Sequence, residues 1–545
     1  MSEKELVTLT IDGQTVQAPK GTALIEAARQ AGIKIPYYCY HPGLSVVGNC
    51  RMCLVEIEKI PKLQPSCATP VAEGLVIRTQ TPDALRNRQS VLEFLLLNHP
   101  LDCPVCDQSG ECELQNYYME HGAYDPRFNE NKTKRKKAFP IGPTVILDQE
   151  RCILCTRCVR FTREISRTGE LAVHDRGHLS EIDLFPGVQL DNPYSGNVVD
   201  ICPVGALTDR DFRFQCRVWF LGRTNSVCPG CSRGCNTEIH YNERFNARYH
   251  DKRVHRLKPR YNKDVNGYWM CDEGRYAYRA IDSVDRLRTP MLRQDDRWQE
   301  VTWDDAIKKT AAALREALQK HGPDGVAVLA SPQMTNEELY SLRQIFKNGL
   351  NIRRLEYRVP LRRQVYSDDI LITADKNPNS RGADALGLSG AGSDDLLRAC
   401  AEGRVHFVYI FYHDLTTGFD VQEVLRSLGN VDFVAFQGPW EHPTASMAQV
   451  LLPASVYAEK EGTFTNLDGR VQRILPAVPP LGESLPDLEI LSRLAAELDV
   501  PLKTTLPEEI FREIGEREPP FAGMTYDTVG DAGQPIADCG LRIAD

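Results

Sequence analysis

The placement of cysteine is the feature that most constrains this chain of 545 residues. Fifteen of its eighteen cysteines fall, together with one histidine, into four sets within the first half of the sequence. In chain order, the sets are Cys39, Cys50, Cys53 and Cys67; His99, Cys103, Cys106 and Cys112; Cys152, Cys155, Cys158 and Cys202; and Cys228, Cys231, Cys235 and Cys271. Four thiolates, or three thiolates and an imidazole, can hold one iron–sulfur cluster. The sequence therefore predicts a row of one-electron sites, which is typical of a protein that conducts electrons.

The bulk composition is that of a soluble protein with several domains. Apolar residues make up 42% and charged residues 26% of the chain, and its length is too great for one core. The formal net charge of −9 gives no reason to expect a nucleic acid partner. We expect no signal peptide, and the apolar runs at 91–97 and 407–412 are too short to span a bilayer. Membrane association is expected only through a partner, and the cysteines are expected to serve metal or redox chemistry.

The first set follows a pattern of strands and a helix that is typical of a β-grasp ferredoxin. A hairpin predicted around Asp12-Gly13, with a type I′ turn, precedes a helix predicted over 21–31 with Thr22 as its N-cap. The spacing Cys-x10-Cys-x2-Cys-x13-Cys shares the close pair of plant-type [2Fe–2S] ferredoxins but has a longer first gap. We expect an enlarged loop before Gly48 and a [2Fe–2S] cluster, and the alternative is a zinc knuckle.

The second set has the spacing His-x3-Cys-x2-Cys-x5-Cys. A helix predicted over 83–97 ends at His99-Pro100, because proline cannot continue it. Without His99 the local set stops at three ligands. We predict that His99 completes the site of a [4Fe–4S] cluster, whose potential the neutral imidazole raises by leaving it with one negative charge fewer. The alternative is a three-cysteine zinc or cluster site completed by water or by a remote group.

The third set has the most specific spacing. Bacterial ferredoxins use Cys-x2-Cys-x2-Cys-x3-Cys-Pro, in which the fourth cysteine serves a second cluster. Here Thr162 stands at that fourth position, and Cys202-Pro203 supplies the separate half of the motif. The pattern predicts a ferredoxin-like module that keeps one [4Fe–4S] cluster and has lost its companion.

The fourth set has the spacing Cys-x2-Cys-x3-Cys-x35-Cys, and Gly234, Gly274 and Arg275 lie beside it. This spacing is typical of the [4Fe–4S] site near the N-terminus of molybdopterin enzymes, and we predict such a cluster. Two cysteine pairs could also hold zinc, so that alternative stays open. The three remaining cysteines have no partners at ligand spacing and are expected to be buried or inert thiols: Cys216, Cys400 and Cys539.

Beyond residue 286 the sequence alternates between short valine-rich apolar runs and helices. This alternation favours an α/β region with a largely parallel sheet. Thr302 is expected to cap the first helix, and Gly322-Pro323 to end it. The predicted strands are at 325–330, 405–411 and 431–436, and the predicted helices at 304–320, 336–347, 394–401 and 487–498.

Several longer segments carry a family resemblance. The segments YYCYHPGLSVVGNCRMCLVEI, NHPLDCPVCDQSGECELQ, CILCTRCVRF, DICPVGAL and CPGCSRGC follow one another, as do SPQMTNEELY, ADKNPNSRGADALGL and LPASVYAEKEGTFTNLDGRVQR. In this order they resemble the large iron–sulfur subunit (G-type, 75 kDa-like) of respiratory complex I, NADH:quinone oxidoreductase. The similarity covers almost the whole chain. It implies one [2Fe–2S] cluster, two [4Fe–4S] clusters and, in some bacterial members, a third [4Fe–4S] cluster. This sequence has the ligands for all four clusters, and the resemblance implies that the one on the fourth set lies away from the main electron path.

The resemblance also implies a function and partners. The chain would be an electron-relay subunit of a proton-translocating NADH dehydrogenase of the respiratory chain, passing electrons from the flavin side toward the quinone-reducing module. Its partners would be the flavin/NADH-binding subunit, the small [2Fe–2S] subunit and the quinone-side iron–sulfur subunits. Its place would be peripheral, on the cytoplasmic face of the bacterial inner membrane. We expect no catalytic residue, molybdopterin, flavin or NAD site in this chain, and the glycine-rich run 387–392 is expected to be a loop.

The whole chain is thus expected to be multidomain α+β and α/β. In order, we predict a β-grasp [2Fe–2S] ferredoxin domain, a His/Cys3 [4Fe–4S] domain, a ferredoxin-like [4Fe–4S] domain, a molybdopterin-oxidoreductase-type 4Fe–4S domain, a degenerate molybdopterin-oxidoreductase-like α/β region and a surface tail. Their predicted limits are 1–80, 81–142, 143–222, 223–285, 286–500 and 501–545. The basic run 132–137 is expected to be a solvated loop at a boundary, and the alternative is a docking strip for an acidic partner.

Three other functions fit the sequence less well. The catalytic subunit of a molybdenum-dependent formate dehydrogenase needs a sulfur or selenium ligand after the TNE-type helix. No sulfur lies between Met334 and Cys400, and Val359 stands about where that ligand would be. The diaphorase iron–sulfur subunit of an NAD-reducing hydrogenase would resemble only residues 1 to about 220. Zinc-stabilised domains without a redox role would not explain the simultaneous fit of four cluster motifs.

Overall fold

The computed structural model describes residues 5–125, 127–242, 252–360, 365–388 and 392–537. The chain divides into two compact units, Met1–Phe220 and Leu221–Asp545. In the first unit the described helices are Leu24–Gln30, Pro82–Leu96, Glu113–His121, Arg157–Glu164 and Asn197–Asp200, with 3₁₀ turns at Gln149–Arg151, Gly177–Leu179 and Val218–Phe220. The described strands are Leu6–Ile11, Gln14–Pro19, Leu54–Ile57, Gln64–Pro65, Val76–Arg78, Phe139–Pro140, Val145–Leu147, Leu171–His174, Glu181–Leu184 and Leu207–Asp209.

The first unit begins with the predicted β-grasp sheet. Leu6–Ile11 pairs antiparallel with its hairpin partner and parallel with Val76–Arg78. The turn residues Asp12 and Gly13 have φ values of 47° and 85°, as the predicted type I′ turn requires. The helix Leu24–Gln30 packs on this sheet and buries its apolar side chains in the same core. The strand order is Gln14–Pro19, Leu6–Ile11, Val76–Arg78, Leu54–Ile57 and Gln64–Pro65.

The helix begins at Leu24, so the prediction of Thr22 as its N-cap is wrong. Ala23 takes the N-cap position and forms an isolated β-bridge with Pro70. Thr22 lies outside the helix because its N–H donates to the carbonyl of Pro19 at 3.0 Å and its own carbonyl accepts from Val71 N at 2.8 Å. Pairing with a distant loop has overridden the local capping preference.

Short elements surround the second and third sets. The helix Pro82–Leu96 has Thr81 as its N-cap and ends before His99-Pro100, as predicted. A three-stranded antiparallel sheet has the order Leu207–Asp209, Val145–Leu147 and Phe139–Pro140. This sheet brings the end of the third set next to the strand that leads into its beginning.

The basic run 132–137 is a loop with four of its six residues exposed, as its charge predicts, but three of its side chains have specific partners. Lys132 Nζ donates to the carbonyls of Leu96 and Leu97 at 2.7 and 3.0 Å, at the C-terminal end of a helix. Arg135 donates to the carbonyls of His178 and Ser180. These side chains are held against the rest of the first unit because unpaired helix carbonyls and buried carboxylates accept their hydrogen bonds. The local sequence does not reveal these partners.

The second unit opens with an antiparallel sheet of Leu221–Val227, Asn236–Asn242 and Val254–Pro259. The described helices are Asp272–Tyr276, Trp303–His321, Asn336–Arg343, Ser380–Ala385, Ser393–Ala401, Val421–Gly429, Asp487–Glu497, Pro507–Arg517 and Tyr526–Val529. A π-helical turn spans Gln344–Gly349, and 3₁₀ turns span Ala277–Ala280, Pro323–Gly325, Leu415–Thr417, Ala445–Met447, Tyr457–Glu459 and Pro519–Phe521. A further sheet contains Gly462–Thr465, Arg470–Ile474 and Gln534–Pro535.

The main sheet of the second unit has seven strands, with an antiparallel hairpin at one edge and five parallel strands, which confirms the α/β prediction. Its order is Arg297–Glu300, Met291–Gln294, Val450–Pro453, Phe433–Gly438, Phe407–Phe411, Val326–Leu329 and Arg354–Glu356. Successive residues of a strand enter different cores: Val326 and Val328 face one, Ala327 and Leu329 the other. Helices cover both faces, so the strands are apolar throughout. Thr302 caps the helix Trp303–His321, as predicted.

The prediction that residues 501–545 form a surface tail is wrong over the described part, which ends at 537. The helix Pro507–Arg517 buries Phe511 and Ile514 in the same core as the main sheet. Phe521 and Tyr526 follow them into that core. The proline, glycine and aspartate content of this segment is typical of a tail. Its few apolar residues nevertheless give the helix one buried face.

No helix in the described ranges is long and apolar enough to cross a membrane. Residues 389–391 of the glycine-rich run and Cys539 lie outside the described residues.

Candidate iron–sulfur centres

The four cysteines of the first set meet in a buried site beside the β-grasp sheet. Cys53 and Cys67 flank two paired strands, and Cys39 and Cys50 lie on the loops before them. Cys39, Cys53 and Cys67 are each 1% exposed. Hydrogen bonds from the thiols of Cys50 and Cys67 hold the pKa of Cys39 well below its ordinary value. Gly48, with a φ of 60°, turns the enlarged loop that the long first gap predicts.

The second set lines a single cavity with its histidine and all three cysteines. His99 follows the helix Pro82–Leu96, and Cys112 is the N-cap residue of Glu113–His121. The Nδ1 atom of His99 is buried and has no hydrogen-bond partner among the described residues. Burial, followed by the charge of Arg151, lowers the pKa of His99 to about 4 and leaves the imidazole neutral. A neutral imidazole with an orphaned buried nitrogen fits the predicted role of cluster ligand.

The third set lines another cavity, whose other walls are largely apolar. Leu154 and Thr156 have φ values of 53° and 61°, so the loop bends around the site in a conformation that side chains seldom adopt. The N–H of Leu154 donates to Cys152 Sγ at 3.4 Å. Burial raises the pKa of Cys152 to about 12 and that of Cys155 to about 11. Burial therefore disfavours isolated thiolates here, and a bound metal would supply the positive charge that stabilises them.

The fourth set lines a cavity in the second unit. Three of its cysteines lie on the loop between two antiparallel strands, and Cys271 is the N-cap residue of Asp272–Tyr276. Gly274 N–H donates to Cys271 Sγ at 3.3 Å. A Cβ on Gly274 would lie 2.7 Å from Cys228 Sγ, so the absence of a side chain makes room for the thiols. The donor set fits a metal, and its geometry admits either a [4Fe–4S] cluster or zinc.

In the first unit, Arg160 connects the first and third sites. Its guanidinium donates to the carbonyl oxygen of Cys39 in the first set and, at 3.3 Å, to that of Cys155 in the third. A further bond to the carbonyl of Ser45 fixes the enlarged loop. Arg160 is buried and lies 121 residues beyond Cys39 in the sequence. The two sites are therefore neighbours in space although the second set lies between them in the sequence.

The segment 202–206 separates the third site from the second. Val204 and Ala206 line the third cavity, whereas Gly205 lines the second. A Cβ on Gly205 would lie 2.4 Å from Cys106 Sγ, so bare backbone stands between the two sites. The third site is consequently adjacent to both the first and the second. One apolar cluster contains Tyr38 and Met52 and packs against cysteines of all three sets, which keeps water from the space between them.

The structure brings the members of each predicted set together at one site. Three residues that position the sites were not predicted from the sequence: Arg151, Arg160 and Gly205. Each acts on a cysteine from another part of the chain, so its own neighbours in the sequence carry no signal. Gly205 follows the predicted Cys202-Pro203 motif, and this glycine is the one feature of the sequence that could have indicated a close approach of the backbone to another site.

Four family models match the chain. The 2Fe-2S iron-sulfur cluster binding domain matches residues 4–82, and the NADH-ubiquinone oxidoreductase-G iron-sulfur binding region matches 88–127. The ferredoxin-like domain of NADH-quinone oxidoreductase subunit 3 matches 142–208. Molybdopterin oxidoreductase matches 286–369 and 373–497. The fourth set lies between the last two matches.

The fold and these cysteine-lined sites define an iron–sulfur protein of electron transfer. The G-type subunit of NADH-quinone oxidoreductase from Rickettsia conorii is 29% identical over 95% of this chain and 92% of that protein. The mitochondrial NADH-ubiquinone oxidoreductase 78 kDa subunit of Candida albicans is 31% identical over 98% of this chain and 88% of that protein. The chain belongs to this family of G-type and 78 kDa subunits and is an electron-relay subunit of the oxidoreductase, which confirms the resemblance of the motifs. A chain of the crystal structure of NAD+-reducing [NiFe]-hydrogenase in the H2-reduced state is 31% identical over 39% of this chain and 91% of that chain, with a TM-score of 0.36.

Proposed function

We propose that this chain relays electrons through four clusters: a [2Fe–2S] cluster on the first set and [4Fe–4S] clusters on the other three. Each cluster, when bound, accepts and releases one electron. The protein's own residues hold the clusters, exclude water and set the distances between them. The observation that carries the proposal is the contact of three cysteine-lined sites within one unit, joined by Arg160 and by the segment 202–206.

The contacts of the third site with both of the others support a path from the first site through the third to the second. Electrons enter from the flavin/NADH-binding subunit and the small [2Fe–2S] subunit, and they leave toward the quinone-side iron–sulfur subunits. Cys103, in the second set, is exposed, which supports an exit from the second site at the surface of the first unit. The chain sits peripherally on the cytoplasmic face of a bacterial inner membrane through these partners. The fourth site, in the other unit, is a side site.

The α/β region serves as packing surface for neighbouring subunits and does not bind a pterin. In doubly wound sheets, ligands bind at the carboxyl ends of the strands. There, Tyr412 follows the strand Phe407–Phe411 and donates to Asp487 at 2.6 Å, and Lys460 donates to both. These groups form hydrogen bonds with one another, which supports the absence of a pterin site at this edge of the main sheet. Release of stoichiometric pterin on denaturation of the purified protein would overturn this part of the proposal.

The first experiment is iron and zinc quantitation on the anaerobically purified protein, with low-temperature EPR after graded reduction. We expect about 14 iron atoms per chain, little zinc, one [2Fe–2S] signal and several [4Fe–4S] signals. About ten iron atoms and one zinc would make the fourth site structural and shorten the relay to three clusters.

The path is tested by removing its middle site. Cys155→Ala in the assembled complex is expected to abolish one [4Fe–4S] signal and NADH-to-quinone transfer together. Cys400→Ala removes a buried thiol that belongs to none of the sets and is the matched control, with wild-type signals expected. Full turnover in the Cys155 variant would place the third site off the path.

A further inference from the structure

Arg151 lies beside the second site although it belongs to no ligand set. It precedes Cys152 of the third set, and its side chain lines the cavity of His99, Cys103, Cys106 and Cys112. A Cβ built on Gly205 would lie 3.7 Å from Arg151 Cδ and 2.4 Å from Cys106 Sγ, so both side chains lie close to Gly205. Arg151 is 4% exposed. A buried cation therefore stands next to a cluster ligand.

Two carboxylates fix the Arg151 guanidinium in one orientation. Nη2 donates to Asp102 Oδ2 at 3.1 Å, and Nε lies 3.4 Å from Asp148 Oδ2. Lys137, from the basic run, also contacts both carboxylates, at 2.5 and 3.6 Å, and donates to Glu150 at 2.8 Å. Lys134 also lies 3.8 Å from Glu150, so three carboxylates and three cations form this network. The ion pairs fix the orientation of the Arg151 guanidinium.

Two nitrogens of this guanidinium, Nε and Nη1, are buried and have no hydrogen-bond partner among the described residues. Nε faces the Asp148 carboxylate at 3.4 Å, so Nη1 is the donor that remains for another acceptor. Buried guanidinium donors are almost always satisfied, and an unsatisfied one beside a ligand set points to an acceptor that binds there. Cluster and cysteine sulfurs are such acceptors, and N–H donors to them are one of the levers that set cluster potentials.

We propose that Arg151 positions and tunes the second-site cluster: its Nη1–H donates to a sulfur of that cluster, and its fixed charge raises the cluster's reduction potential. Reduction adds one negative charge to the site, and a nearby buried cation stabilises the reduced form more than the oxidised form. The effect adds to that of the neutral His99 ligand. The inference rests on the proposed function, because it needs a [4Fe–4S] cluster on the second set.

The test is redox titration of the purified whole complex, followed by EPR of the second-site signal. That signal is identified as the [4Fe–4S] signal lost in Cys103→Ala. Arg151→Met is expected to lower the equilibrium constant for reduction about tenfold, which is about 59 mV for a one-electron couple. Pulsed EPR is expected to show loss of an exchangeable proton coupled to this cluster. Arg135→Met, which removes an arginine of the basic run that does not line the cavity, is the control and should keep the wild-type midpoint.

The outcomes separate the inference from the proposed function. An assembled cluster with an unchanged midpoint in Arg151→Met overturns the role of Arg151 and leaves the relay intact. Absence of any [4Fe–4S] signal from the second site in the wild-type complex overturns the proposed function instead. If Arg151→Met fails to assemble the cluster, Arg151→Lys decides. This variant keeps the charge but cannot keep both ion pairs and the extra donor, so a lowered midpoint with a changed proton coupling is expected, and wild-type values for both would overturn the inference.

Discussion

Gly205→Ala tests the geometry of the second site through a single added methyl group. The new Cβ would lie 2.4 Å from Cys106 Sγ and 3.1 Å from the Cβ of Gln108, whereas ordinary contacts begin at 3.4 Å. Cys106 Sγ would thus have to move by about 1 Å, and metal–ligand distances tolerate only about 0.2 Å. Overpacking of this kind costs about 1–3 kcal/mol. The backbone of Gly205 is not in the left-handed region, so alanine adds contact and no backbone strain.

We expect Gly205→Ala to lose the second cluster and keep the chain folded. The assay is iron quantitation with EPR on the anaerobically purified complex, which should lose the iron of one [4Fe–4S] cluster and the corresponding signal. The matched control is Gly429→Ala, where an added Cβ meets nothing within 4 Å, and it should keep all signals. Full iron content with a wild-type second-site spectrum in Gly205→Ala would refute the placement of Cys106 against the segment 202–206.

Three further changes have distinct expected outcomes. His99→Cys should retain a cluster but lower its midpoint by on the order of 100 mV, because a thiolate adds negative charge; an unchanged midpoint in a redox titration would mean that His99 is not a ligand. Gly274→Ala should remove the fourth metal site alone, seen as lost iron or zinc with turnover retained; full metal content would contradict this. Lys460→Met leaves the buried carboxylates of Glu338 and Asp487 unpaired and should destabilise the second unit by about 3–5 kcal/mol. Burial raises the pKa of Glu338 to about 7, so its protonated form favours the folded state at low pH and that stabilisation is lost as the pH rises toward and above 7. The variant's defect should therefore be larger at about pH 8 than at about pH 6, and hydrogen exchange of the neighbouring strands that shows no such trend would contradict the argument.

The close members of each ligand set were predictable because short-range geometry dictates them, whereas Cys67, Cys202 and Cys271 were assigned by elimination and by their motifs. A tight turn that presents two thiols to one metal fixes Cys-x2-Cys, and the helix end before His99 fixes the place of the imidazole. The parallel sheet was predictable for a related reason: strands buried on both faces are apolar at every position, as Val326–Leu329 shows. These features depend on residues close in the sequence, where the pattern is dense.

What could not be predicted depends on distant partners. Thr22 has the chemistry of an N-cap, but its backbone pairs with Pro19 and Val71 and leaves that position to Ala23. The basic run has the composition of a solvated loop, but it finds helix carbonyls and carboxylates more than ten residues away. The helix Pro507–Arg517 has few apolar residues, and although Ile510, Phe511 and Ile514 stand at helical spacing, the core that they enter lies far away in the sequence. In each case a long-range contact decided the outcome.

The same segments that hold one site shape the next. Arg151 lines the second cavity, and the next residue, Cys152, lines the third cavity. In the segment 202–206, likewise, Cys202 lines the third cavity and Gly205 lines the second. Because two short segments each contribute residues to both cavities, the backbone of these segments keeps the second and third sites close together. These shared segments also mean that a change at a non-ligand position acts on a site to which its neighbours in the sequence do not belong. Arg151 and Gly205 stand one and three residues from ligands of the third set, yet variants at both positions are expected to act on the second site.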